Sequence, residues 1–70
     1  MKLTDANIDE KLKVTEVNNY TQRLNALGVF EGCEICPLLK NSHTLLVDVN
    51  GCRYAMGNEV AECILVKRVS

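Results

Sequence analysis

Apolar and polar residues alternate most regularly on either side of Asn50-Gly51. This dipeptide between two apolar runs is a strong indication of a two-residue hairpin turn of type I′. Such a turn places apolar side chains opposite one another on one face, in the pairs Val49 with Cys52, Val47 with Tyr54 and Leu45 with Met56. Asp48 and Arg53 then pair on the other face. The pattern predicts a β-hairpin that begins at Thr44 and continues to Met56.

Further strands are predicted outside the hairpin. Residues 12–17 alternate apolar and polar at first and lose phase at Val17, which indicates a strand that ends in a bulge or bend. Residues 33–40 and 64–66 are apolar runs of strand length. Asn41-Ser42-His43 supplies a polar loop between the second run and the hairpin.

A short helix is predicted between the first two strands. Tyr20, Leu24 and Leu27 recur at spacings of four and three, so they share one face of a helix. Asn18-Asn19 is a plausible start for this helix, and Gly28 closes it in the left-handed conformation. Gly32 marks a second turn before the next strand.

Two single helical turns are predicted near the ends of the chain, capped by Thr4 and by Asn58, the second carrying Val60 and Ala61. Short antiparallel strands with so few helical residues indicate a mainly β fold. We therefore predict a small, partly open barrel of about five strands, with one inserted helix and one or two helical turns. At 70 residues the chain fits a single domain, residues 1–70.

Composition and charge narrow the function classes. Apolar residues make up 47% and charged residues 24%, which is typical of a globular protein. The formal net charge is −1 and no basic run exceeds Lys67-Arg68, which argues against nucleic-acid binding. No segment approaches the run of about 18 apolar residues that crosses a membrane, and the first residues do not resemble a signal peptide. We expect a cytoplasmic protein that does not insert into the membrane.

Cys33 and Cys36 form the one close pair among four cysteines. A metal or thiol-redox site requires the two sulfurs to converge, as they do in a turn or at a helix start. On a strand, residues three apart are separated by roughly 10 Å and lie on opposite faces. A disulfide requires Cα atoms within about 7 Å. The strand interpretation is favoured, and a metal site at this pair is the weaker alternative.

The strand interpretation also assigns faces to the neighbouring residues. Cys33 shares the apolar face with Ile35, Pro37 and Leu39, and Cys36 shares the mixed face with Glu34, Leu38 and Lys40. Of the other cysteines, Cys52 is predicted to point into the core, and Cys63 is predicted to be partly exposed and the most readily oxidised. His43 has no second histidine or fixed acidic neighbour. No catalytic motif is present, so we expect no enzyme and no cofactor.

Two segments of the chain resemble the family of ferrous iron transport protein A, FeoA. The run RLNALGVFEGCEI resembles that family's helix-and-turn motif, and YAMGNEVAECILV resembles its last segment. The matching residues are Arg23, Leu24, Leu27, Gly28 and Gly32 in the first segment, and Ala61, Ile64 and Val66 in the second. Two departures are Asp9-Glu10, which replaces a glycine turn, and Gly57, which stands where a basic residue is frequent.

The resemblance implies an SH3-like barrel with an inserted helix. It also implies a cytosolic accessory of ferrous iron uptake that docks on the cytoplasmic region of the membrane GTPase transporter FeoB. The predicted outward strand residues that could contact a partner, or a second copy in a weak homo-oligomer, are Leu38, Lys40, Leu46 and Arg53. The alternatives are a metal-responsive domain and a peptide-binding SH3-like domain. The second is poorly supported because the chain has only three aromatic residues, Tyr20, Phe30 and Tyr54.

Overall fold

A computed structural model describes residues 1–69 and folds them into five strands and two short helices. The strands are Leu12–Val17 (β1), Glu34–Lys40 (β2), Thr44–Val49 (β3), Cys52–Gly57 (β4) and Ile64–Arg68 (β5). The helices are Thr21–Ala26 (α1) and Asn58–Ala61 (α2), and a 3-10 turn covers Leu3–Asp5. The predicted mainly β architecture is confirmed.

The strands form one antiparallel sheet in the order β4-β3-β2-β1-β5. Within residues 1–69 the two outer strands of this order do not pair with each other, so the barrel is partly open. The sheet curls around a core to which every strand contributes. The buried hydrophobic residues are Leu3, Ala6, Leu12, Val14, Leu24, Val29, Cys33, Ile35, Leu45, Val47, Val49, Met56, Ala61, Ile64 and Val66.

The β3–β4 hairpin has the predicted register. Val49 pairs with Cys52 and Asp48 with Arg53, and the pairing continues without interruption to Thr44 and Gly57. Asn50 and Gly51 have φ angles of 53° and 85°, the two positive values that a type I′ turn requires. The Gly51 N–H donates to Asp48 Oδ1 at 3.0 Å, which ties the turn to the strand before it.

Cys52 is exposed, so its predicted place in the core is wrong. Burial along the inner face of β4 rises from exposed Cys52, through half-buried Tyr54, to buried Met56. On β3 the residues paired with these three are all buried. The difference follows from strand order, because β3 has a neighbour on each side whereas β4 has a neighbour on one side only.

Two bulges interrupt the pairing of the sheet. One lies between Val14 and Glu16, where β1 pairs with β5, which confirms the predicted irregularity at the end of this strand. The other lies between Pro37 and Leu39 in β2. A bulge adds a residue to one strand and reverses the face that later residues occupy. Leu39 is therefore 64% exposed and not on the inner face, which corrects the predicted alternation.

The helix α1 begins later than predicted. Tyr20 precedes it as the N-cap residue, with a left-handed φ of 57°, and its N–H donates to Asn19 Oδ1 at 2.8 Å. Leu24 is buried and Leu27 packs against the core, as the spacing predicted. Gly28 has a φ of 88°, the left-handed conformation predicted for the helix end.

Neither predicted side-chain cap is formed. Lys2 and Gly57 occupy the N-cap positions of the two turns, and no side chain caps either of them. Asn58 is instead the first residue of α2, and its Nδ2 donates to the carbonyl oxygens of Asn41 and Ser42 at 3.4 and 3.2 Å. Its side chain therefore bonds the β2–β3 loop, while the N-cap position of α2 falls one residue earlier, at Gly57.

Gly32 and Gly57 provide a matched test of backbone strain. A Cβ added at either position would meet no atom within 4 Å, but Gly32 has a φ of 94° whereas Gly57 has −64°. We expect Gly32→Ala to lower the free energy of unfolding by about 1–2 kcal/mol, because an L side chain is strained at positive φ. Gly57→Ala is expected to change it by less than about 1 kcal/mol, because its φ is open to any residue and the lower entropy of the unfolded chain opposes the preference for glycine over alanine at an N-cap. Urea unfolding measures both, and equal effects would show that φ does not require glycine at position 32.

Candidate partner-binding surface

An apolar row crosses the outer face of β2, β3 and β4. In the sheet register Leu39 pairs with Leu46, and Leu46 pairs with Ala55. Leu39 and Ala55 are exposed and Leu46 is half-buried. We call these three residues the apolar row. Apolar side chains that lie side by side on an outer face offer a surface that a protein partner can bury.

A polar row lies beside the apolar row on the same outer face. Cys36 pairs with Asp48, and Asp48 pairs with Arg53. The carboxylate and the guanidinium occupy neighbouring strands, so the border of the apolar row carries charges of both signs. Charges at the rim of a contact influence orientation and the rate of association more than affinity.

The structure brings together some of the predicted contact residues and separates others. Leu46 and Arg53 lie on the outer face, in the apolar and the polar row respectively. Leu38, which was predicted to face outward, is half-buried at the bulge. Its neighbour Leu39 occupies the exposed position instead. Lys40 is exposed at the end of β2, where its Nζ donates to the Thr4 carbonyl oxygen.

Leu39 and Ala55 were missed by the sequence analysis. Pro37 was the available indication for Leu39, because proline in a strand is confined to edges, strand starts and bulges. The strand β2 pairs with β1 only near its start, at Glu34 and Ile35. Pro37 lies beyond that pairing, so the sheet loses no hydrogen bond between β1 and β2 through the missing N–H of proline. Ala55 could have been identified from the predicted hairpin register, which pairs it with Leu46 on the outer face.

Cys33 and Cys36 lie in different environments. Cys33 precedes β2 and is buried, with its Sγ accepting the Phe30 N–H at 3.4 Å. Cys36 is half-buried in the polar row. All four thiols are unpaired, and residues 1–69 contain no cluster of three or more His, Cys, Asp or Glu side chains that could hold a metal ion.

The Cys36 thiol lines an open cavity together with Lys11, Glu34 and Asp48. Burial raises the pKa of this thiol, and the Asp9 and Asp48 carboxylates raise it further, while Lys11 partly offsets them. A thiol with a raised pKa carries less of the thiolate that acts as nucleophile or metal ligand. The environment of Cys36 therefore disfavours reactive thiol chemistry.

The remaining candidate side chains are separate from this cavity. Cys63 is half-buried and its thiol donates to the Glu59 carbonyl oxygen at 3.4 Å. Its predicted partial exposure is confirmed, but Cys52 is the more exposed thiol. His43 is exposed in the β2–β3 loop, where its N–H donates to Asn41 Oδ1 at 2.8 Å. Over residues 1–69 no helix has the length and hydropathy that crossing a membrane requires.

Comparison with known families and structures assigns this fold. The FeoA domain family is matched over residues 1–68 of the chain. The chain belongs to the FeoA family. FeoA proteins are associated with ferrous iron transport, and the resemblance of the two sequence segments to this family is confirmed. Asp9 has a φ of 66°, so the position where the family carries a glycine turn keeps left-handed backbone here.

Solved structures give the same result. The FeoA protein of Chlorobium tepidum is 27% identical, with a TM-score of 0.90, over 100% of this chain and 71% of that one. A zinc complex of Stenotrophomonas maltophilia FeoA is 25% identical, with a TM-score of 0.85, over 96% of this chain and 89% of that one. That protein is described as a prokaryotic SH3 domain protein, which confirms the SH3-like fold. A crystal structure of an iron uptake regulatory protein, FeoA, superposes with a TM-score of 0.91 at 24% identity, over 99% and 96% of the two chains. Among curated proteins no match is found.

Proposed function

We propose that this FeoA-family domain is a cytoplasmic regulatory module of ferrous iron uptake. In this proposal it docks on the cytoplasmic part of a membrane GTPase transporter of the FeoB type and acts by binding, without catalysis. The family match over residues 1–68 supports the role in iron transport. The S. maltophilia relative is described as a candidate activating factor for ferrous iron transport, which agrees with a regulatory role.

The observation that carries the docking proposal is the apolar row. Leu39 is the most exposed of the large hydrophobic residues in the described chain, at 64%, and it lies beside Leu46. Burial of such side chains contributes roughly 25 cal/mol per Å² of apolar surface removed from water. The flanking polar row, with Asp48 and Arg53, supplies the charged rim that fixes orientation in protein contacts.

Binding to the purified cytoplasmic region of the FeoB-type transporter from the same organism tests this proposal. We expect the wild-type domain to bind, and Leu39→Asp or Leu46→Asp to weaken binding at least about tenfold, because each buries a carboxylate in the contact. Phe30→Asp is the matched control, since Phe30 is 50% exposed but lies in the α1–β2 connection.

The possible outcomes test two questions separately: whether the transporter is the partner, and whether the apolar row is the contact surface. No binding by the wild-type domain would reject the transporter as partner. Binding that is lost in Phe30→Asp and retained in both row variants would place the contact elsewhere on the domain. Circular dichroism of each variant establishes that it is folded before binding is compared.

A further inference from the structure

The outer edge of β4 carries backbone groups that have no partner strand. In a two-residue hairpin the closing pair, here Val49 and Cys52, is hydrogen-bonded, and hydrogen-bonded pairs alternate along the strands. The N–H and C=O groups of Arg53 and Ala55 therefore point away from β3. Within residues 1–69 neither residue takes part in a backbone hydrogen bond outside the regular elements, and β4 pairs with β3 alone.

The other outer strand, β5, is covered by the start of the chain. The Val66 N–H donates to the Met1 carbonyl oxygen at 2.8 Å, and the terminal amino group of Met1 donates to the Val66 carbonyl oxygen at 3.1 Å. Lys2 forms a further antiparallel bridge to Leu65. Of the two outer strands, β4 is thus the one whose edge remains open to another strand.

The strand β4 also has few of the features that natural proteins use to block edge pairing. Its register with β3 is regular over all six residues, without a bulge, and it contains no proline and no lysine. Arg53 is the one charged residue in the strand. Gly57 at its end is extended, with φ −64° and ψ 149°, so the strand conformation continues to the last residue.

A second copy of the same strand fits this edge. In an antiparallel pairing about a two-fold axis at Ala55, each Ala55 faces the other and Arg53 faces Gly57 of the second copy. A Cβ at Gly57 would meet nothing within 4 Å, so there is room for the arginine side chain. No like charges oppose one another in this pairing, because Arg53 is the one charged residue of β4 and it faces a glycine.

We propose that two copies of this domain associate through antiparallel pairing of their β4 strands about a two-fold axis at Ala55. The pairing forms backbone hydrogen bonds at Ala55 and from the Gly57 N–H to the Arg53 carbonyl oxygen. It also joins the apolar rows of the two copies into one continuous row, because Ala55 is the end of each row at this edge. The proposal does not depend on the identity of a transporter partner.

The dimer is weak. An edge of six residues is far smaller than the standard interface of about 1,600 Å², so we expect a dissociation constant on the order of 0.1 mM. Sedimentation equilibrium of the wild-type domain in reductant, from about 10 µM to about 1 mM, should show a monomer that converts to a dimer.

Ala55→Asp tests the register. It sets two carboxylates opposite each other with Cβ atoms about 5 Å apart, so association should weaken at least tenfold. Ala26→Asp is the matched control, because the same substitution then lies at an exposed site on α1, away from the edge. A wild-type protein that stays monomeric at about 1 mM, or an Ala55→Asp variant that associates as well as wild type, overturns the proposal.

Amide hydrogen exchange of the wild-type protein supplies a readout that does not depend on the folding of any variant. The Tyr54 and Met56 amides donate hydrogen bonds to β3, so they should be protected from exchange at every concentration. The Ala55 and Gly57 amides, which the proposed pairing bonds to the second copy, should gain protection only as concentration rises. Concentration-dependent protection at β5 in place of β4 would show that copies associate through a different edge.

Discussion

Val47→Asp is expected to unfold this domain, whereas Leu46→Asp, one residue away on the same strand, is expected to leave it folded. Val47 is completely buried, pairing with Pro37 on one side and Tyr54 on the other. An ionised carboxylate at this site has no cation to pair with, since no charged or polar residue is buried in the described chain. The penalty for one unpaired buried charge is several kcal/mol. A single core of this size supplies only about 3–5 kcal/mol net.

Leu46 faces the other side of β3 and is half-buried in the apolar row, so an aspartate there can reach water. Far-ultraviolet circular dichroism and urea unfolding at neutral pH compare the two variants. Protonation removes the charge, so the defect of Val47→Asp should diminish as pH falls toward the pKa of the new carboxyl group, which burial raises. Unfolding by Leu46→Asp would place that side chain in the core and remove the apolar row as a binding surface.

The elements that sequence predicted well are those with local causes. Asn50-Gly51 determines its own turn, and the turn then determines every pair between β3 and β4. Gly28 likewise ends α1 through its own conformational freedom. These features need no knowledge of the rest of the fold, which explains why the hairpin register and the helix end were both predicted correctly.

The errors have non-local causes. Cys52 has the inward parity that the hairpin dictates, but it is exposed because β4 is an outer strand, and strand order cannot be read from alternation. Leu39 was placed on the wrong face because the bulge after Pro37 reverses parity. Asn58 was predicted to cap α2, yet its side-chain amide donates to a loop carbonyl oxygen, that of Ser42, 16 residues away in sequence.

The candidate site was predictable only in part for the same reason. Leu46 and Arg53 belong to the hairpin, and local pairing places both on the outer face. The third strand of the apolar row is β2, whose register against β3 is shifted, so its exposed leucine could not be identified from alternation. When three strands form a surface, its residues can be predicted only as well as the register of the least regular strand.

Leu24→Ala should unfold a large fraction of the protein. Leu24 is 1% exposed and belongs to the hydrophobic core, to which it is the one fully buried contribution of α1. Truncation of a buried leucine costs about 2–5 kcal/mol, from the lost transfer free energy and the cavity that remains. That range matches the net stability of about 3–5 kcal/mol expected from one small core. Alanine has the highest helix propensity, so a loss of stability cannot be attributed to weaker helix formation.

Leu39→Ala is the matched control, because it removes the same atoms from a side chain that is 64% exposed. Its free energy of unfolding should stay within about 0.5 kcal/mol of wild type. Urea unfolding followed by circular dichroism measures both variants, and an unchanged slope with a lower midpoint would show that only stability has changed. If Leu24→Ala unfolded at the wild-type urea concentration, α1 would not be packed on the barrel. Its family-typical leucine would then have to serve a purpose other than sealing the core.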